Sequence, residues 1–507
     1  PAICQALLPE TTLHVLDPAS ADNWVVQLFR TLSRSVIFDK EHLVANRRLL
    51  RHLKGKGRLA VYLPAAVEPD EAGMRLYRAV TLLARKSNAK VVPVFIGNSR
   101  FLPSSFTPAS KAPRKRFARL SVHALPAERI DALVEKAGKG FVTPSNALFD
   151  QMALARYSAA DLSLGLFKAF VEAAKTYGPS RVVLEDTVTS SLTYKRMLIG
   201  ARVLAKRFAA MSQPGEAMGV LLPNANGVVV TFLALLSAGR VAAMLNYSSG
   251  SANIVSAIKT ARIRTVLSSR TFIEKAELQS LAEAIEFNGT KIVWLEDRRE
   301  TVTTAEKLSA ALQWKRPVRS IRSEDPAIIL FTSGSEGTPK GVVLSHYNIQ
   351  ANAAQAEARF SISVEDTLFN VLPVFHSFGM TGGTVLPLLY GVRLFLYPSP
   401  LHYKLIPAAA SKVRPTIMFG TDTFLMGYAR TAKDNDFESL RFVVAGAEAV
   451  KPQTRELYAE RFQCKVLEGY GMTEAAPVVA ANTCSQERFD TVGRLFPGIS
   501  VRLEPVE

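Results

Sequence analysis

From about residue 181 onward, short apolar runs alternate with stretches of helical periodicity, and this alternation restricts the folds open to the chain. Met218-Gly219-Val220-Leu221-Leu222-Pro223 is followed by a helical pattern over 226–238 and then by Val241-Ala242-Ala243-Met244-Leu245. Further apolar runs stand at 265–267, 291–295, 327–330, 393–397, 416–420 and 441–445. Continuous apolar runs of strand length read as strands buried on both faces. Separated by helices, they predict an α/β domain whose sheets are mostly parallel. The apolar stretch 228–238 falls short of the roughly 20 residues of a membrane span, so it reads as a core helix.

The run Ala327-Ile328-Ile329-Leu330 leads into Phe331-Thr332-Ser333-Gly334-Ser335-Glu336-Gly337-Thr338-Pro339-Lys340-Gly341. Hydroxyls and glycines alternate here and a lysine closes the segment. Glycines let backbone approach a phosphate, amides and hydroxyls bind its oxygens, and a lysine neutralises its charge. The segment is not a Walker loop, because Thr338 and Pro339 separate Gly337 from Lys340. A loop of turn residues has similar composition, but a strand before it and a lysine after it favour a nucleotide-phosphate loop.

The N-terminal part reads as a smaller α/β unit. Residues 58–63 form a strand ended by Pro64, residues 74–86 have helical periodicity, and 90–96 is a second apolar run stopped by Gly97. Strand, helix and strand at this spacing predict a parallel crossover. Residues 131–160 read as a helical connector. An apolar fraction of 48% with 21% charged residues excludes a disordered chain. Cys4, Cys464 and Cys484 lack metal-ligand spacing and point to a reducing compartment.

The formal charge of +18 is uneven: residues 1–160 carry 24 Lys/Arg against 12 Asp/Glu. Its densest cluster is 111–119, where Lys111, Arg114, Lys115, Arg116 and Arg119 surround Phe117. Such a cluster suits an anionic membrane surface or an acidic partner, as well as a plain solvated loop. No zinc-binding spacing or aromatic RNA-binding box points to nucleic acid.

Four further segments carry chemistry. Pro373-Val374-Phe375-His376-Ser377-Phe378-Gly379 sets a histidine among aromatics. Phe419-Gly420-Thr421-Asp422-Thr423 and Val444-Ala445-Gly446-Ala447-Glu448 follow strands with glycine turns, where open sheets bind ligands. Glu468-Gly469-Tyr470-Gly471-Met472-Thr473-Glu474 supplies a ring, a hydroxyl and a carboxylate. These suit an adenine, a phosphate and Mg²⁺ respectively.

In this order the segments resemble the acyl-adenylate-forming superfamily, which includes acyl-CoA synthetases, acyl-ACP synthetases and luciferase. The resemblance covers roughly residues 160–507 and extends to Leu192-Thr193-Tyr194 and Leu222-Pro223-Asn224. Glu336 stands where most members carry Thr. That variant, with 397–403, resembles the branch of bacterial bifunctional acyl-ACP synthetase/2-acylglycerophosphoethanolamine acyltransferases.

The resemblance implies a small acyltransferase-like domain over 1–130, a connector and a large adenylating domain over 161–507. It implies a fatty acid, ATP and Mg²⁺ as reactants and cofactor, with a phosphopantetheine thiol of acyl carrier protein (ACP) or of CoA as acceptor. Lysophospholipid acylation, peripheral contact through residues 111–119 and a place at the cytoplasmic face of a bacterial membrane follow from the same branch. Thr332, Ser333, Gly334, Ser335, Glu336, Gly337, Thr338 and Lys340 would hold the β- and γ-phosphates. Glu474 would ligate Mg²⁺, Thr473 would bond the α-phosphate and Tyr470 would stack on adenine, with Glu468, Gly469, Gly471 and Met472 also binding ATP. Gly446, Ala447 and Glu448 would line the nucleotide, while His376, Gly420 and Thr421 would border the acyl entrance. Lys340, His376 and Glu474 are the catalytic candidates. Alternatives are a long-chain acyl-CoA synthetase and a non-catalytic nucleotide- or acyl-binding module.

Two departures modify the expectation. The family's Tyr-x-Thr-Gly-Asp block and small C-terminal domain with its catalytic lysine are not in the 507 residues. The acyltransferase pattern of His-x4-Asp and Phe-Pro-Glu-Gly is not met by His14-Val15-Leu16-Asp17 or by 62–68, so residues 1–130 read as a truncated domain, either a non-catalytic dock or an active one whose dyad is not in view. A chain ending at Glu507 is therefore expected to bind nucleotide but to show negligible pyrophosphate exchange. Robust exchange by a pure sample of this length would overturn that expectation.

Overall fold

The apolar runs of the second half become strands in register. The computed structural model describes the chain except for residues 31–32, 38–46, 65, 139–141, 334–338, 503 and 505–507. The backbone divides into two units, Pro1–Ala160 with Ala358–Ser361, and Asp161–Glu357 with Ile362–Glu507.

The second unit holds two sheets. One has six strands in the order Lys291–Trp294, Thr265–Ser268, Ala217–Leu221, Val241–Met244, Pro326–Thr332 and Lys340–Ser345. The first five are parallel and the last closes an antiparallel hairpin. The other has nine strands, with a parallel centre of Lys465–Gly471, Phe442–Ala445, Ile417–Gly420, Thr367–Asn370, Arg393–Leu396 and Val182–Asp186. Antiparallel strands complete both its edges. Each apolar run named above lies in one of these strands to within one or two residues.

Helix Asn226–Ala238 is buried at every residue except Gly227 and Val230, which explains its lack of a polar face. Among the described residues, no helix is long and apolar enough to cross a membrane. Cys464 is buried, and Cys4 and Cys484 are partly exposed.

The first unit corrects the expected crossover. Arg58–Val61 does join a parallel sheet, but with Thr12–Leu16 and Arg34–Ile37. The apolar run 90–96 instead splits at Pro93. Lys90–Val91 pairs antiparallel with Glu128–Arg129, and Val94–Gly97 pairs antiparallel with Ser121–Ala124. Proline has no ladder N–H to give, and the Pro93 carbonyl accepts from the Leu125 amide at 2.9 Å.

Residues 131–160 are also more than a connector. Ile130, Leu133, Ala147, Leu148 and Phe149 share a core with Tyr77 and Ala84 of helix Glu71–Ser87. Residues 358–361 complete this unit. Arg359 pairs with Asp150 at 2.7 Å and lies over the Phe149 ring. The Ser361 amide donates to Glu68 at 3.0 Å, so this carboxylate of the segment 62–68 serves packing. Tyr62 of the same segment meets Nδ1 of buried His14 at 2.7 Å.

His346 opens helix His346–Glu357 in the second unit and is almost wholly buried. Its Nδ1 accepts from the Leu166 amide at 3.2 Å. Burial pulls its pKa down to about 4, although the charge of Asp325 works the other way. Protonating Nδ1 would also turn an acceptor toward an N–H donor. A depressed folded pKa means that this contribution to stability is complete above about pH 6.5 and is lost as pH falls toward 4, roughly 3 kcal/mol in all. His346→Asn should therefore flatten the acid limb of a stability-against-pH curve measured by denaturant unfolding between pH 7 and 4. An unchanged acid limb would contradict this account.

Candidate active site

Segments that follow strands of the two sheets meet at Asn224, and the space beside them is the candidate crevice. Strand Ala217–Leu221 runs into Leu222-Pro223-Asn224, and the Asn224 side chain is buried. Its Nδ2 donates to the Leu372 carbonyl at 2.8 Å and its Oδ1 accepts from the Val374 amide at 2.9 Å. This holds the segment after Thr367–Asn370 in place two residues before His376. A second tie lies beside it, where Asp186 accepts from the Asn226 amide at 2.7 Å.

His376 follows the Asn224 tie. Its ring is accessible to solvent, yet enough protein surrounds it that desolvation lowers its pKa. Phe375 supports it at a centroid distance of 4.8 Å and meets Tyr247 edge to face at 5.0 Å. The chain continues into a π-helix, Phe378–Val385, a form that recurs at functional sites. Phe378 stacks on Phe419 at 5.0 Å.

The glycine turns converge on that stack. The Gly446 amide donates to the Gly420 carbonyl at 3.2 Å. A Cβ on Gly446 would lie 3.3 Å from the Gly469 carbonyl oxygen and 3.7 Å from the Phe378 ring. Thus Gly420, Gly446, Gly469 and Phe378 share one wall, and any side chain at 446 would project into it. Ala447 follows with φ of 71°, a left-handed conformation that costs a non-glycine residue energy.

Tyr470 and Met472 are about half exposed on the adjoining edge, on either side of a register shift that follows Tyr470 in strand Lys465–Gly471. The Ser377 and Thr473 hydroxyls lie 3.4 Å apart, joining the histidine segment to the Thr473–Ala475 turn. That turn packs against strand Lys340–Ser345. Thr332 and Lys340 are a registered pair at the mouth of the hairpin. Gly334, Ser335, Glu336, Gly337 and Thr338 lie outside the described residues; Thr332, Ser333 and Lys340 bracket them.

Two carboxylates from the same segments have other partners. Glu448 accepts from the Thr423 amide at 2.8 Å and the Thr423 hydroxyl at 3.0 Å. Desolvation opposes its ionisation, but bonds from Thr421 and Thr423 and the charge of Lys451 outweigh it and lower its pKa. Its carboxylate therefore fastens the start of helix Asp422–Thr431, where the Thr421 hydroxyl is the N-cap. Glu468 pairs with Arg455 at 3.0 Å and accepts from the Val450 amide at 3.3 Å. Glu474 remains as an exposed carboxylate at the crevice edge. One carboxylate beside bound phosphates is a donor set that Mg²⁺ commonly uses, so the residues present fit that ion. Asn224 and the Phe378–Phe419 stack were not singled out as site residues from sequence. The only signal for Asn224 was the Leu-Pro-Asn segment.

Crevices at the carboxyl ends of parallel strands, fenced by glycine turns, define an open α/β ligand-binding protein. Residues 170–507 match the AMP-binding enzyme family, and the chain belongs to that family. It is 23% identical over 313 residues to 4-coumarate--CoA ligase 1 of Petroselinum crispum, covering 60% of this chain and 56% of the relative. It is 24% identical over 322 residues to a long-chain-fatty-acid--CoA ligase of Bacillus subtilis, covering 57% of each. The chain thus spans little more than half the length of these relatives. Among solved structures it resembles a benzoate CoA ligase from Burkholderia xenovorans, with TM-score 0.58 and 22% identity over 66% of each chain. It also resembles VinN in complex with L-aspartate, with TM-score 0.58 and 22% identity over 69% of this chain and 88% of that one. These likenesses establish the fold of the second unit.

Asn224→Leu should unpair the Leu372 carbonyl and the Val374 amide. An unfolding measurement should register a loss of about 2–4 kcal/mol. A loss within error would show that the segment holds itself.

Proposed function

We propose that the second unit activates a fatty acid. The acid's carboxylate oxygen attacks the α-phosphorus of ATP, the bond to the β-phosphate oxygen breaks, and acyl-adenylate and pyrophosphate result. A phosphopantetheine thiol then attacks the acyl carbonyl and AMP leaves, the thiol proton passing to solvent. The observation that carries this reading is the shared wall of Gly420, Gly446, Gly469 and Phe378, joined to the Ser377–Thr473 approach.

In this reading Thr332, Ser333 and Lys340 bind the β- and γ-phosphates together with residues 334–338. Thr473 bonds the α-phosphate, Tyr470 stacks on adenine, and the backbone of 446–448 and 468–472 lines the nucleotide. His376, Gly420 and Thr421 border the acyl group. A neutral imidazole at His376, favoured by its lowered pKa, would sit beside an apolar chain without a buried charge. Glu474 would hold Mg²⁺, which when bound offsets the negative charge of the phosphates. Positioning and charge neutralisation account for the acceleration.

The acceptor is assigned to ACP, because the basic surplus of residues 1–160 suits an acidic carrier. The Bacillus relative favours CoA as a second reading. The test uses a chain extended through the downstream small domain, given ATP, Mg²⁺ and labelled palmitate, with holo-ACP and CoA at equal concentration. Label on ACP is expected; label on CoA alone would replace the ACP reading. In the same chain Lys340→Ala should lower adenylation by about 10²-fold or more while fatty-acid binding survives. Unchanged adenylation would favour a role without phosphate contact for this lysine.

The first unit is proposed to dock at an anionic membrane, where a lysophospholipid acceptor would be found. Phe117 is 90% exposed, flanked by exposed Lys111, Arg116 and Arg119. Arg114 ties their loop to the carbonyls of Arg100, Ser105 and Thr107. Phe117→Asp should abolish co-sedimentation with phosphatidylglycerol vesicles without affecting ATP binding. Equal sedimentation of both proteins would remove this loop from the interface.

A further inference from the structure

At the opposite end of the six-stranded sheet from the crevice lies a cavity of about 630 Å³. Strand Ala217–Leu221 separates the two by roughly 15 Å. Arg240 and Arg264 immediately precede Val241–Met244 and Thr265–Ser268, which flank that strand on either side. Both arginines line the cavity, and Arg319 joins them from a separate loop.

The three side chains are held differently. Arg240 is buried, and its guanidinium is fastened to the Ser212 hydroxyl and to the carbonyls of Ala209, Ser212 and Ala238. Its charge is therefore fixed in the cavity wall. The stem of Arg319 crosses Gly239, which has φ of 68°, and a Cβ there would lie 2.8 Å from Arg319 Cδ. The absence of that Cβ lets Arg319 lie beside Arg240. Arg264 and Arg319 are exposed, and neither side chain has a hydrogen-bond or ion-pair partner among the described residues. Among the described residues the single acid in the lining is Glu216, whose carboxylate already accepts from the Gln213 amide at 2.7 Å.

Among the described residues the lining thus carries three guanidinium groups against one carboxylate, a surplus of positive charge that an anion would offset. Guanidinium forks match phosphate oxygens in pairs. Among the described residues no aromatic ring lines the cavity to stack on a base; its apolar members are aliphatic, among them Met211, Pro214 and Val318. The geometry points to a binding site for a small phosphorylated anion without a nucleobase, separate from the crevice, with Arg264 and Arg319 as its free ligands.

The 507-residue chain can be tested directly, with no variant needed, by arginine modification with phenylglyoxal and peptide mass mapping. Inorganic pyrophosphate or glycerol 3-phosphate, at about ten times its dissociation constant, should slow modification of Arg264 and Arg319 by about tenfold. Chloride at matched ionic strength should not. Protection by pyrophosphate alone would assign the site to inorganic polyphosphate, and protection by both to phosphomonoesters as well. Unchanged rates with both, or equal protection by chloride, would overturn the site. As a second readout, the double variant Arg264→Gln/Arg319→Gln should lose one class of pyrophosphate binding in calorimetry and keep its ATP titration. Pyrophosphate stoichiometry identical to that of the parent would likewise overturn it. Because neither arginine borders the crevice, this outcome is independent of whether the crevice activates fatty acids.

Discussion

The carboxamide of Asn224 meets backbone that belongs to the other sheet, donating to one peptide group and accepting from another two residues on. The position of the histidine segment follows from that pair, because a buried carbonyl and amide have no water to turn to. From His376 the chain enters the π-helix, whose first ring stacks on Phe419 at the end of a neighbouring strand. Through that stack the glycine turns at 420 and 446 acquire a common wall. The crevice needs the strand ends of the two sheets held at a fixed separation. An amide suits this task better than a charge, since it satisfies a donor and an acceptor at once and carries no desolvation penalty of an ion.

Around that wall, acids are divided between architecture and the crevice edge. Glu448 and Glu468 lie next to turns that face the crevice, yet their oxygens are committed to a helix start and to an arginine. Arg455 and Lys451 offset part of their negative charge beside a place proposed to receive polyphosphate. Glu474 alone among these three stays open at the edge. The basic cavity at the far end of the six-stranded sheet reverses this balance, with cations in excess and little to neutralise them.

Most of the second unit was legible because its strands are buried on both faces and so read as unbroken apolar runs. Strands 182–186 and 367–370 were less visible, since Glu185, Asp186 and Asn370 put polar groups into otherwise central strands. Those polar groups are the ones that form ties, Asp186 to the Asn226 amide and Asn370 to the Gly379 carbonyl. In the first unit the run 90–96 looked like one parallel strand; Pro93 divides it between two hairpins, and partner choice across more than twenty residues is not written in local periodicity. The catalytic candidates were found by order and spacing, whereas the partners that occupy Glu448 and Glu468 depend on tertiary placement. Thr423 and Arg455 carry no signal in sequence that they will claim those carboxylates.

The hairpin that brackets the glycine-rich segment has a further consequence. Its two strands are registered from Ile328 opposite Leu344 to Thr332 opposite Lys340, and side chains along a strand alternate between faces. The direction in which Lys340 projects is therefore set by the ladder behind it. Residues added or removed between the strands would change reach while leaving that direction alone. A single residue added or removed within 341–345 would turn the lysine to the opposite face. Variation in this region should thus be tolerated by length on one side of Lys340 and only in pairs on the other, a parity rule written by the pleat.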